Sequence, residues 1–252
     1  TCLPNSMLRM IPAHNEFVTD QMPGLPLNVP MHRHGDVLYL MPYSGEVEGL
    51  ATDLNYRYDQ EISTPYCYSV FLDDYDIFTS FAPAARSAIY TFTYEKEGTR
   101  YVMLRTVGDG ELNAKGNSIY GYENYHGIKH YFYLEFEQEP VEVGHYNSEN
   151  REACYARFND EVNEVRLRYG ISYISEEQAK NNMEKELPGY DIEALAQSAR
   201  DEWNETLGKI EVEGATEDQK TVFYTSLYRA HERMVNISED GKYFSGYDMK
   251  VH

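Results

Sequence analysis

Cysteine is scarce in this chain, with three among 252 residues: Cys2, Cys67 and Cys154. An odd count with no C-x-x-C spacing points away from a disulfide-dense scaffold and from a zinc site; one bridge stays open, and small buried hydrophobes are the expected role. Basic residues are few, 22 Lys and Arg against 42 Asp and Glu, for a formal net charge of −20. Such a field repels phosphate backbones and anionic lipid, so no nucleic-acid partner is expected. No apolar run approaches the ~20 residues of a membrane-spanning helix, so no membrane insertion is expected either. Familiar catalytic signatures are missing: no G-x-S-x-G elbow, phosphate-binding G-x-x-x-x-G-K, H-E-x-x-H or dinucleotide fingerprint. Asp73-Asp74-Tyr75-Asp76 lacks the alternating ligands, glycine and terminal glutamate of a calcium loop and reads as a solvated turn between strands. No metal site is expected within this chain.

What is abundant is tyrosine, 24 residues, within a hydrophobic content of 42%. That argues for an ordered globular protein. Six prolines (Pro4, Pro12, Pro23, Pro26, Pro30, Pro42) make residues 1–50 read as irregular, with short pieces such as Val37–Met41 as candidate strands. From about Tyr66 to Tyr173 the period is two. Tyr66, Tyr68, Val70 and Leu72 alternate with Cys67, Ser69 and Phe71. Phe132, Leu134 and Phe136 alternate with Tyr131, Tyr133 and Glu135, and Val165, Leu167, Tyr169, Ile171 and Tyr173 share one face. Ala88–Tyr94 and Tyr101–Val107 flank a turn containing Gly98 and read as a hairpin. Closely spaced strands without intervening helices predict an antiparallel β-sandwich.

The pattern changes at Ser175. Ser175-Glu176-Glu177-Gln178 reads as a capping box opening a helix to about Leu187, before Pro188-Gly189. Asp191 caps a second helix whose apolar face is Ile192, Leu195, Ala196, Ala199, Trp203 and Leu207. Thr216-Glu217-Asp218-Gln219 is a second box, opening a helix with Val222, Phe223, Leu227, Ala230 and Met234. The spacing divides the chain into a sandwich (1–174), a helical linker (175–214) and a third helical segment (215–252). Trp203 falls on an apolar stripe and reads as core.

The polar cluster that stands out is Met31-His32-Arg33-His34-Gly35-Asp36. His32, Arg33 and His34 form a substrate-binding candidate, because imidazole and guanidinium groups in a loop bounded by proline and glycine can donate to sugar hydroxyls. An exposed loop with ordinary charges explains the same residues. The strand tyrosines likewise suit pyranose rings or cross-strand packing. Glycoside hydrolysis needs two facing carboxyl groups, and no motif nominates such a pair, so no catalytic residue is assigned in this chain.

Several stretches resemble glycoside hydrolase family 92, the α-mannosidase family: Gly170–Ala179 with Asn182–Leu187, Ala199–Asn204 with Leu207–Gly214, the helix Gln219–Tyr228, and Pro65–Tyr75. The resemblance implies an amino-terminal β-sandwich joined through helices to an (α/α)6 barrel, so that 215–252 would be the start of a truncated catalytic barrel. It implies calcium-dependent exo-α-mannosidases that invert the anomeric centre, acting on mannose-containing glycans in the periplasm or outside the cell. It also implies that the site lies between the domains and that the acid, the base and most calcium ligands come from the barrel. Ca2+ is therefore expected for the complete enzyme. Val29–Asp36 stands where the family carries a Ser-His-Thr-His-Leu loop, with the following Gly-rich turn shortened. Two other readings are a stand-alone carbohydrate-binding sandwich and a structural adhesion-type sandwich without a ligand. The apolar face of the third helix speaks against both, and its exposure would lead residues 216–252 to tuck onto the sandwich, to self-associate, or to be mobile.

Overall fold

A computed structural model of the chain describes residues 1–12, 21–31, 35–46, 54–146 and 151–252. The period-two segments become two antiparallel sheets. The larger runs, in spatial order, β1 (Gln21–Met22), β4 (Tyr56–Ser63), β5 (Tyr68–Leu72), β6 (Ile77–Pro83), β7 (Ser87–Tyr94), β14 (Glu164–Ser172), β11 (Ile128–Phe136), β10 (Ser118–Tyr125) and β9 (Gly110–Lys115). The smaller runs β12 (Glu142–His145), β13 (Ala153–Phe158), β8 (Arg100–Arg105), β3 (Val37–Ser44) and β2 (Leu25–Asn28). The expected alternations hold: Tyr68, Val70 and Leu72, then Phe132, Leu134 and Phe136, then Val165, Leu167 and Tyr169 are all buried in one core.

The abundance of tyrosine has a physical account in that core. Four tyrosines of the large sheet donate their hydroxyls to backbone carbonyls of the small one: Tyr56 to Pro42 (3.0 Å), Tyr90 to Pro26 (3.4 Å), Tyr94 to Tyr101 (2.7 Å) and Tyr169 to Leu27 (2.7 Å). Burial pushes all four phenols well above their ordinary range, which keeps them protonated as donors. Each ring fills the core while its hydroxyl satisfies a buried carbonyl that a phenylalanine would leave unpaired.

One expectation for the strands is overturned. Residues 87–94 and 100–105 are not a hairpin. β7 pairs with β6 and β14 in the large sheet, whereas β8 pairs with β3 and β13 in the small one, so the Gly98 connection arches between sheets. Both strands are buried along nearly their whole length, so alternation could not reveal the partner. Within residues 1–50, Val37–Met41 is a strand as expected, the first part of β3, and β2 joins it in the small sheet. Pro26 is accommodated because β2 is an edge strand, where a missing N–H costs little.

Three helices come next among the described residues, α1 (Glu176–Glu186), α2 (Ile192–Leu207) and α3 (Glu217–His231). Ser175 caps α1 by accepting from the Gln178 N–H (3.1 Å), but Gln178 does not close a box. Its amide instead donates to Asn182 (2.9 Å) and Asp240 (3.0 Å), a better use for a half-buried side chain between two acceptors. Thr216 and Gln219 form the full reciprocal box on α3. α1 lies on the outer face of the large sheet, over Gly170, where any Cβ would strike the Ala179 carbonyl and Met183. Met183 and Leu187 pack there with Ala84 and Ile89. Trp203 is core, as its stripe implies: its indole N–H donates to the Cys2 carbonyl (2.8 Å) and its ring lies 4.7 Å from Tyr228. The three cysteines are free, with Cys2 and Cys154 buried. Asp73–Asp76 forms the β5–β6 turn, Asp74 bonding Arg57 (2.7 Å) and Asp76 bonding Lys96.

No side chain of α3 is fully buried. The stretch after it, 232–252, returns to the sandwich and is held there by polar groups. Arg86 donates to the Ser238 carbonyl through Nε (3.1 Å) and Nη2 (2.8 Å) while its Nη1 pairs with Glu186 (2.7 Å). Glu239, fully buried, accepts from the Tyr173 N–H (3.0 Å) and the Asn182 amide (2.8 Å). Asp240 accepts from Gln178 and Lys185. A terminal hairpin, β15 (Phe244–Ser245) with β16 (Lys250–Val251), ends the chain.

Candidate functional site

Where this returning stretch meets the sandwich there is an open cleft of about 550 Å³, within the range of small-molecule sites. One wall comes from the β10–β11 hairpin. Its two-residue turn, His126 and Gly127, has positive φ at both positions (52° and 83°), the mirror-image turn that suits a twisted hairpin. This turn carries Tyr125, His126 and Ile128 to the cleft. A second wall is made by Val29, Pro30 and Met31, just past the end of β2. The opposite wall is the returning stretch, with Val235, Ile237, Phe244 and Gly246. Met7, Arg9, His130 and Tyr173 complete the lining.

Five polar side chains punctuate this apolar surface: Arg9, Tyr125, His126, His130 and Tyr173. His130 is 6% exposed, with the rings of Tyr173 (4.8 Å) and Tyr125 (6.0 Å) edge-on to it. Burial lowers its pKa to about 4, so the imidazole is neutral at ordinary pH and offers one donor and one acceptor. Burial pushes the Tyr173 phenol up to about 12. Arg9 is nearly buried, and its guanidinium meets the Glu232 carbonyl at the carboxyl end of α3, where the helix dipole favours a cation. Its Nε has no acceptor among the described residues. The Tyr125 hydroxyl donates to the Met31 sulfur (3.2 Å), and an added Cβ on Gly35 (φ 90°) would collide with that same hydroxyl.

The substrate-binding candidates His32, Arg33 and His34 lie outside the described residues. Their neighbours do not: Pro30 and Met31 line the cleft, and Gly35 abuts Tyr125. Behind the cleft, Glu123 is buried across the sheet from His130 and ties three backbone N–H groups: Leu38 (2.8 Å), Val107 (3.0 Å) and Gly108 (2.7 Å). Burial raises its pKa against those bonds, and with its oxygens occupied it holds loops rather than facing a ligand. Among the described residues, no Asp or Glu lines the cleft. Two residues past Gly246, the exposed Asp248 bonds His252 (3.0 Å), and hydrogen bonds from Ser245 and His252 hold its carboxyl below the usual range. Among the described residues no three His, Cys, Asp or Glu side chains gather as a metal cage would require. These residues therefore do not fit a calcium site. The cleft can orient a polar ligand, but its described lining does not supply the carboxyl pair of glycoside hydrolysis.

Residues 28–172 match the glycosyl hydrolase family 92 N-terminal domain, and residues 178–252 match that family's catalytic domain. The chain belongs to glycosyl hydrolase family 92. The two matches meet at the start of α1, and the cleft draws its walls from both. An inverting mannosidase of family 92 from Bacteroides thetaiotaomicron superposes over 100% of this chain and 39% of its own, with a TM-score of 0.87 at 24% identity. An α-mannosidase of the same family and bacterium, in complex with mannoimidazole, superposes over 99% of this chain and 40% of its own (TM-score 0.84, 20% identity). At such identities the likeness speaks for the fold: a β-sandwich followed by the start of a helical barrel. An uncharacterized secreted glycosidase from Arthroderma benhamiae is 37% identical over 70 residues, 26% of this chain and 9% of that protein. The chain thus spans about two fifths of the solved family members and a smaller share of the fungal relative.

Of the cleft residues, sequence patterns single out only the loop beside Met31 and the face that carries Tyr173. Arg9, Tyr125, His126, His130 and Phe244 come from separate parts of the chain and are missed. The one local signal for them is the His126-Gly127 pair between two alternating strands, which marks a tight turn with aromatics at its tip.

Proposed function

We propose that the chain is the amino-terminal, glycan-facing part of an exo-acting, calcium-dependent, inverting α-mannosidase working in the periplasm or outside the cell. The observation that carries this is the tandem match to the family's N-terminal and catalytic domains, with a cleft at their junction whose described lining has no carboxylate. The cleft, together with the substrate-binding candidates His32, Arg33 and His34, would bind the sugar of a mannose-containing glycan. The acid, the base and the calcium ligands would come from the remainder of the catalytic domain. The match of 178–252 to a catalytic domain favours this reading over a stand-alone binding module.

Two measurements test it. The complete enzyme should release mannose from α-mannosides with inversion and lose that activity to a calcium chelator, while residues 1–252 alone should release none. Turnover by residues 1–252, or chelator-resistant turnover by the complete enzyme, contradicts the assignment. Arg33→Ala in the complete enzyme should lower kcat/KM by ~1–3 kcal/mol, the scale of a lost charge-assisted hydrogen bond. An unchanged kcat/KM would remove the loop from the sugar site.

A further inference from the structure

We propose that Glu239 is the positioning residue of the cleft, the side chain that fixes Ile237 and Phe244 against Tyr173 and so decides what the cleft admits. This rests on reading the cleft as the sugar-facing surface.

Glu239 has no exposed surface, and the groups that bond its carboxylate among the described residues are neutral. A buried carboxyl group is costly unless each oxygen has a donor. Here one oxygen takes the Tyr173 N–H and the other takes the Asn182 amide. Asn182 is itself fixed, donating to the Ile171 carbonyl (2.9 Å) and accepting from Gln178 (2.9 Å). The carboxylate thus reads the end of β14 and the face of α1 at once. Tyr173, bonded through its own N–H, presents its ring to the cleft. Ile237 stands two residues before Glu239 and Phe244 five after it, both on the opposite wall.

Between those two, the chain has little freedom. Glu239 and Lys242 exchange backbone hydrogen bonds (2.7 and 3.0 Å), closing a tight turn, and Arg86 and Lys185 hold Ser238 and Asp240 on either side. Ile237 is itself 37% exposed, so apolar packing does little to hold this wall. Polar geometry does it instead, and directional bonds fix position more tightly than a partly exposed apolar contact.

The test uses the complete enzyme and a chromogenic aryl α-mannoside. Glu239→Gln keeps an acceptor for the Tyr173 N–H but turns a donor toward the Asn182 donor. KM should rise at least tenfold with kcat within threefold of wild type, and the Tyr173 amide should exchange with deuterium faster. Arg86→Ala loosens the same turn from outside the cleft and leaves Glu186 bonded to the backbone N–H at position 86 and to Ser87, so folding should survive. There KM should rise about threefold to fivefold. If Glu239→Gln does not fold, Arg86→Ala decides. Unchanged KM in the folded variants overturns the proposal, and so does a loss of thermal stability with KM unchanged, which is what a purely structural anchor would give. If the wild-type enzyme releases no mannose, the functional reading fails by itself. Deuterium exchange then decides for the turn: faster exchange at Tyr173 and residues 243–246 in Glu239→Gln supports positioning, and unchanged exchange overturns it.

Discussion

The sandwich and the segment from Glu217 onward are held by different physics. The sandwich is built on buried rings, with Tyr169, Phe81, Phe92, Phe132 and Phe136 all but fully removed from solvent. The later segment leaves Val222 67% exposed and Met234 82% exposed, and it is fastened by Arg86, Asn182, Glu239 and Asp240. Burial gives the first region its stability, since each large apolar side chain removed from water contributes ~1.5–3 kcal/mol. Directional bonds give the second its position at a smaller gain, since a net hydrogen bond contributes only ~0.5–1.5 kcal/mol. A cleft with walls from both regions therefore has one side fixed by burial and another fixed by directional bonds.

Three measurements bear on that contrast. The largest effect should come from Phe132→Ala, which opens a cavity between the sheets. Denaturant unfolding should show a loss of ~3–5 kcal/mol, and a loss under ~1 kcal/mol would mean the core can collapse around the gap. Next is acidification. His130 has a folded-state pKa of about 4, lowered from 6.5 by burial. As pH falls the unfolded chain takes up this proton first, so the contribution is full above pH 6.5 and erodes toward pH 4. The cumulative loss is roughly 3 kcal/mol, because a tenfold difference in proton affinity is worth about 1.4 kcal/mol. Below that, folded and unfolded chains are both protonated at this site and its effect levels off. His130→Phe should flatten this part of the stability-against-pH curve, and an unaltered slope would acquit His130. The smallest effect should be Val222→Ala, within ~0.5 kcal/mol in residues 1–252. The same change should cost ~1 kcal/mol or more in a longer form of the protein whose further helices cover that face.

How much of this was legible depends on how each residue is buried. Strands with one wet face announced themselves, as in β11 and β14, because half-burial imposes period two. β7 and β8 did not disclose their partners, since strands buried on both faces carry no such mark. Helix starts at Ser175, Asp191 and Thr216 were readable because capping is local chemistry. The choice of Gln178 between Ser175 and Asp240 was not, because Asp240 is 62 residues away in sequence. The same reason hid the cleft. Glu239 and Tyr173 are 66 residues apart, and only the finished fold brings them together.

The strand order of the large sheet has a consequence for how the chain is made. β14, the last of its strands to leave the ribosome, lies in the middle, between β7 and β11. Until Ser172 has been synthesised, the sheet exists only as two separate halves, each with a central edge left unpaired. At ~5–20 residues per second, the stretch from Tyr94 to Ser172 keeps the β7 edge waiting for on the order of ten seconds. Unpaired edges invite pairing with other chains, so nascent chains of this protein should depend on chaperones, or on export before folding, until the keystone strand arrives.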